Sequence, residues 1–154
     1  MRGPIIGVVG TGKSSPPLDE LAAEVGREIA RNNAVLICGG LGGVMTAAAK
    51  GAKEVGGYTI GVLPGPSIYE ANPYIDFPIA SNMGQARNVI IVQTAEVLIA
   101  VAGGYGTISE IALALKIGKG VIALRPELAI TGARPAETPH QAVAEALKLV
   151  RRSV

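Results

Sequence analysis

The segment Val97-Leu98-Ile99-Ala100-Val101-Ala102-Gly103-Gly104-Tyr105-Gly106-Thr107-Ile108-Ser109-Glu110 decides how this chain is read. Its first five residues are apolar without alternation, the pattern of a strand buried on both faces. Ile111-Ala112-Leu113-Ala114-Leu115-Lys116 follow and read as a helix. A glycine-rich turn between strand and helix lets backbone N–H groups approach an anion closely, because no Cβ stands at Gly103, Gly104 or Gly106. The Thr107 hydroxyl adds a donor, and Glu110 sits one turn inside the helix beside whatever the turn holds. A phosphate with a carboxylate next to it is the expectation.

The same alternation extends in both directions. Strands are expected over 5–9, 34–38, 58–63, 96–101 and 120–124, and helices over 18–32, 44–55, 84–94, 107–117 and 139–151. Such a chain makes one doubly wound α/β domain over residues 1–154, a parallel sheet with helices on both faces. Residues 65–82 break the alternation with Pro66, Pro73 and Pro78, predicting a functional loop or lid with a short strand at 75–79. Glycines follow several strands: Gly10 and Gly12, the run 39–43, Gly65, and the run 103–106. In a parallel sheet these turns share the carboxyl edge, where ligands bind at the switch point. Gly40, Gly42 and Gly43 therefore join Gly103, Gly104, Gly106 and Thr107 as candidate ligand-binding residues.

Composition removes several function classes. The chain is 49% hydrophobic and 17% charged, which predicts a large core and some surface covered in a homodimer or homotetramer. A net charge of +2, no basic cluster longer than Arg151-Arg152, and 3% aromatic residues argue against nucleic acid as a partner. Cys38 is the one cysteine, so intramolecular disulfides and cysteine-based zinc sites are excluded. No apolar run approaches the ~20 residues of a membrane span, and no signal-peptide core opens the chain, so a soluble cytoplasmic protein is expected. Nothing supplies a metal cluster, a Ser/His/Asp triad or a resident cofactor site, and His140 reads as a solvated side chain.

Three motifs have competing readings. Gly7-Val8-Val9-Gly10-Thr11-Gly12-Lys13-Ser14 matches GxxxxGK[ST], but Gly7 falls inside the strand and Pro16-Pro17 stand where the following helix would run, so an ATPase loop is not expected. Gly10-Thr11-Gly12-Lys13-Ser14-Ser15 lacks the third glycine of a dinucleotide fingerprint. Thr107-Ile108-Ser109-Glu110 is also a T-x-x-E capping box, which by itself would account for Glu110. Upstream, Asn82-Met83-Gly84-Gln85-Ala86-Arg87-Asn88 opens a helix continued by Val89-Ile90-Ile91-Val92, expected to be largely buried. An arginine there needs an anionic partner, which a phosphate or Glu110 would provide.

The segments Gly103-Gly104-Tyr105-Gly106-Thr107-Ile108-Ser109-Glu110 and Met83-Gly84-Gln85-Ala86-Arg87-Asn88 resemble the LONELY GUY family, often labelled lysine decarboxylase-like, with its PGGxGTxxE signature and upstream MHxRK. The likeness extends to Gly39-Gly40-Leu41-Gly42-Gly43-Val44-Met45 and Ile60-Gly61-Val62-Leu63-Pro64. It implies a Rossmann-like fold, a dimeric or larger assembly and a nucleoside monophosphate ligand, cleaved at its N-glycosidic bond to free base and ribose 5-phosphate. It makes Arg87 and Glu110 the catalytic pair, and Gly103, Gly104, Gly106 and Thr107 the phosphate holders, with Asn88 at the ligand. Two departures stand out: Ala102 replaces the signature proline, and MGQARN lacks the histidine and has Asn88 for lysine. These look more like the branch containing the molybdenum cofactor carrier protein, which binds a phosphate-bearing pterin without hydrolysis. The expected functions are thus a phosphoribohydrolase or, alternatively, a non-catalytic carrier or sensor of a phosphate-bearing nucleotide or pterin.

Overall fold

The apolar runs pair as parallel strands because each is too hydrophobic to leave a face in water. In a computed structural model describing residues 3–126 and 128–150, the elements run β1 (Ile5–Gly10), α1 (Pro16–Arg31), β2 (Val35–Cys38), α2 (Val44–Glu54), β3 (Thr59–Leu63), β4 (Phe77–Ala80), α3 (Arg87–Thr94), β5 (Val97–Val101), α4 (Tyr105–Lys116), β6 (Gly120–Leu124), β7 (Arg134–Ala136) and α5 (Pro139–Leu149). Single 3-10 turns occupy Ile68–Glu70 and Gly84–Ala86. The seven strands form one parallel sheet in the order β4-β3-β2-β1-β5-β6-β7. The fold is Rossmann-like, as expected.

Successive residues of each strand feed opposite layers. Ile6 and Val8 of β1 join Val97, Ile99 and Val101 of β5 against Val25, Ile29, Ala48 and Val143 of α1, α2 and α5. Val9, Leu98 and Ala100 point the other way, onto Val92, Ile111 and Ala114 of α3 and α4. This period-two sorting explains why the strands read as continuous apolar runs.

Helices α1 and α2 cross at backbone distance. A Cβ at Gly26 would lie 1.9 Å from the Ala48 carbonyl oxygen, and one at Gly51 would lie 1.9 Å from that of Ala23. Two glycines thus let the helix backbones touch, seating the start of α2 against the loop after β1, where Val44 N–H donates to the Thr11 carbonyl at 3.0 Å.

The stretch 65–82 is tied to the body of the protein. Asn72 Nδ2 donates to the Leu41 carbonyl at 2.9 Å, and the Asp76 carboxylate accepts from Thr59 N–H at 2.9 Å and from Lys53. Its strand is Phe77–Ala80 rather than 75–79, in register with β3 through Ile60↔Phe77. As an edge strand it tolerates Pro78. Strand β7 went unexpected because Arg134-Pro135-Ala136 is three residues long and holds a proline, which only an edge accepts. Arg151, the expected end of the last helix, and the pair Arg151-Arg152 lie outside the described residues.

Gly26→Ala is expected to destabilise the protein by about 1–3 kcal/mol, the usual cost of overpacking. A fall of several degrees in the calorimetric melting temperature checks this; an unchanged or raised value would show that the helices can move apart freely.

Candidate functional site

Strand order reverses between β1 and β5, whose ends lie side by side through Gly10↔Val101. The chain leaving β1 turns to α1 on one face, and the chain leaving β5 turns to α4 on the other, so a crevice opens between them. A cavity of about 360 Å³ fills it. Val8, Val9 and Ile91 form its apolar base, and Gly104, Gly106, Thr107 and Glu110 its wall on α4. Gln85, Arg87 and Asn88 form the facing wall, with Gly39, Leu41 and Met45 contributed by the loop after β2 and the start of α2.

The turn into α4 differs from expectation in an informative way. Left-handed backbone falls at Ala102 (φ 48°) and Gly103 (φ 113°), while Gly104 has φ −99°. A Cβ at Gly103 would lie 2.2 Å from Thr107 Oγ1, so Gly103 is required by the turn itself. Nothing lies within 4 Å of a Cβ position at Gly104 or Gly106, which face open cavity. Helix α4 begins at Tyr105 with Gly104 as its N-cap, two residues earlier than the expected 107, and no side chain caps it. Thr107 is therefore the third helical residue and the T-x-x-E capping box does not form. The first N–H groups of a 12-residue helix are left pointing at the cavity with their partial positive charge.

Glu110 is consequently without a capping role. Among the described residues no hydrogen bond or ion pair engages it; its interaction is an electrostatic one with Arg87. Burial pushes its carboxyl pKa up to about 7, against the pull of the Arg87 cation.

Arg87 is buried, at 7% exposure. Its Nε–H donates to the Val62 carbonyl at 2.9 Å and its Nη1–H to Asn88 Oδ1. Burial draws its pKa down, opposed by Glu110 and then Cys38. The α3 helix itself is only half-buried, with Val89 44% exposed against buried Ile91 and Val92. Arg87 is covered instead by the ends of β2 and β3: a Cβ at Gly39 would come within 2.7 Å of its Nη2. No ion pair among the described residues includes Arg87.

The remaining sequence candidates separate. Gly40 (φ 75°) packs on Leu63 and Gly61, and Gly43 (φ 64°) on the Thr11 and Gly12 backbone. Neither they nor Gly42 line the cavity; Gly39, Leu41, Met45 and Gln85, which sequence reasoning did not single out, do. The signal was their place in the same glycine-rich segments, but which residues of a loop face inward is set by φ signs that sequence leaves open. Gly7 lies within β1, 2.8 Å from Leu98 Cδ1 for a Cβ placed there, and Ser14 Oγ donates to Asp19, so the GxxxxGK[ST] match forms no phosphate loop. The exposed His140 lies 3.1 Å from Glu28, and Cys38 is buried with its thiol pushed up to about 11 by burial. No group of three or more His, Cys, Asp or Glu able to hold a metal occurs among the described residues, nor does a helix long and apolar enough to cross a membrane.

A raised carboxyl pKa means that ionising Glu110 costs stability. That cost is absent below its unfolded pKa and grows as pH rises through about 7. Glu110→Gln is expected to melt at a higher temperature than the parent at pH 8, with the difference vanishing below the unfolded pKa of 4.5; a difference independent of pH would contradict it.

Comparison with known proteins agrees with this architecture. The SLOG cluster4 family matches residues 3–151. The molybdenum cofactor binding protein of Rippkaea orientalis superposes with a TM-score of 0.92 at 36% identity, over 98% of this chain and 99% of that one. The molybdenum cofactor carrier protein of Chlamydomonas reinhardtii does so with a TM-score of 0.89 at 40% identity, over 98% and 100%. The cytokinin riboside 5'-monophosphate phosphoribohydrolase of Mycobacterium tuberculosis is 38% identical over 96 residues, 60% of this chain and 51% of that one. The chain belongs to the SLOG cluster4 family, in the LONELY GUY-like branch that holds the molybdenum cofactor carrier proteins.

Proposed function

We propose that the protein binds a phosphate-bearing heterocyclic small molecule in the switch-point cavity and carries it intact; proteins named as a molybdenum cofactor binding protein and a molybdenum cofactor carrier protein are similar to it along its whole length. The observation that carries the anion assignment is Arg87: a buried cation, hydrogen-bonded among the described residues only to neutral acceptors, facing the uncapped start of α4. A phosphate at Gly104 and Gly106 would receive the free helix N–H groups and the Arg87 charge together. The apolar base of Val8, Val9 and Ile91, with Leu41 and Met45, offers contact for the flat part of a pterin or nucleobase. Two features support a carrier over a hydrolase. Proteins named for binding or carrying the molybdenum cofactor are among its full-length similarities, and the segment MGQARN departs from the hydrolase-type signature.

A second reading is favoured by one observation, the Glu110 carboxylate with no structural partner across from Arg87. Cleavage of an N-glycosidic bond builds positive charge on the sugar as the base leaves and water adds at the anomeric carbon. Ionised Glu110 would stabilise that charge, and Arg87 would hold the ribose phosphate.

One experiment separates the two. Incubation with adenosine monophosphate is expected to release no adenine or ribose 5-phosphate, while molybdenum cofactor freed from a donor enzyme is retained stoichiometrically. The hydrolase reading demands the opposite. It predicts turnover that rises with pH through about 7, as Glu110 ionises, and that falls by roughly a hundredfold or more in Glu110→Gln.

Either reading includes an assembly of at least two copies, since Met83 (49%), Val89 (44%) and Tyr105 (90%) leave apolar surface exposed on the elements that form the cavity's walls. Light scattering at micromolar concentration should give a multiple of the 15.6 kDa chain mass; a mass of one chain would remove this part of the proposal.

A further inference from the structure

A guanidinium has five N–H donors in a rigid plane. In Arg87, Nε–H is spent on the Val62 carbonyl and one Nη1–H on Asn88 Oδ1. The Nη2 donors have no acceptor among the described residues, and the absent side chain of Gly39 is what gives Nη2 its space. Val62 supplies a backbone oxygen at the end of β3, where the neighbouring strands hold it. Asn88 is then the side chain that sets the orientation of the guanidinium. Its amide does so without charge, so the cation is fixed but not neutralised. A carboxylate of the same shape would fix it equally well and cancel it. Because Oδ1 is engaged by Arg87, the Asn88 amide N–H pair is directed away from that bond, and Asn88 itself lines the cavity.

We propose that Asn88 is a positioning residue that aims the Arg87 guanidinium into the cavity through a neutral bond, leaving it without a hydrogen-bonded or ion-paired anion among the described residues, and that this makes the site select an anionic oxygen group. The proposal rests on the phosphate-ligand reading of the cavity. It assigns the position next to Arg87 a role in charge selection that is distinct from direct ligand contact.

The test compares the parent with Asn88→Ala and the isosteric Asn88→Asp, using adenosine monophosphate, adenosine and inorganic phosphate as probes in calorimetry. Asn88→Ala is expected to weaken adenosine monophosphate about tenfold, the scale of losing one hydrogen bond to a charged group. Asn88→Asp should weaken it by roughly a hundredfold or more, because the new pair cancels the cation. Adenosine, which has no phosphate, should be weakened far less than adenosine monophosphate in both variants. In nitrogen-detected NMR, the Arg87 Nη signals should be separated by hindered rotation in the parent and in Asn88→Asp, and merge in Asn88→Ala. Equal affinity for adenosine monophosphate in the parent and Asn88→Asp, or Arg87 signals unchanged in Asn88→Ala, would overturn the proposal. A parent that binds neither adenosine monophosphate nor phosphate, yet shows the NMR change, would overturn the phosphate reading while supporting the positioning role.

Discussion

Winding reverses between β1 and β5, where Gly10 pairs with Val101, and the chains leaving these strands turn to opposite faces of the sheet. Backbone that diverges in this way cannot fill the space between its own loops, so a crevice is left at the carboxyl edge. Arg87, Glu110 and the start of α4 are arranged around it. Helix α4 enters with its N-terminus toward the opening, and α3 begins beside it after a 3-10 turn that brings Arg87 under the ends of β2 and β3. The close α1–α2 crossing at Gly26 and Gly51 sets the opposite rim by holding the start of α2 against Thr11 and Gly12.

The charges in this crevice are kept apart rather than joined. Arg87 and Glu110 line one cavity and feel each other electrostatically, yet no ion pair closes between them. A closed pair would be a structural element. An open one leaves a cation, a set of helix N–H donors and a carboxyl group near neutrality available to a ligand. Such an arrangement opposes stability, since burial penalises both charges. The fold offsets that cost with a core in which strands β1, β5 and β6 are almost wholly buried.

The strand-helix alternation, the parallel sheet and the turn after β5 were legible because hydrophobic period and glycine position are local properties of the chain. Arg87, which opens α3, and Glu110, one turn into α4, drew attention by their place beside glycine-rich segments and by the family resemblance, and both line the cavity. Strand β7 was hidden by its brevity and its proline, and the strand near residue 77 was displaced from expectation because register with β3, not local pattern, sets its limits. The T-x-x-E pattern at Thr107 makes no capping box because the helix starts at Tyr105, where Gly103 allows the turn to close against Thr107, a packing fact.

What the amino-acid sequence determined by itself is therefore the class of fold, the edge of the sheet at which the cavity opens, and the residue types gathered there. Only the tertiary structure decided which loop residues face the cavity, placing Gly39, Leu41 and Met45 inside and Gly40, Gly42 and Gly43 outside its lining. It alone released Glu110 from the helix cap and gave Arg87 neutral partners in Val62 and Asn88. The physical reason is range. Hydrophobic period acts over a few neighbouring residues, whereas the partner of a buried charge comes from whichever strand end the sheet order brings beside it, here Val62, 25 residues away in the chain.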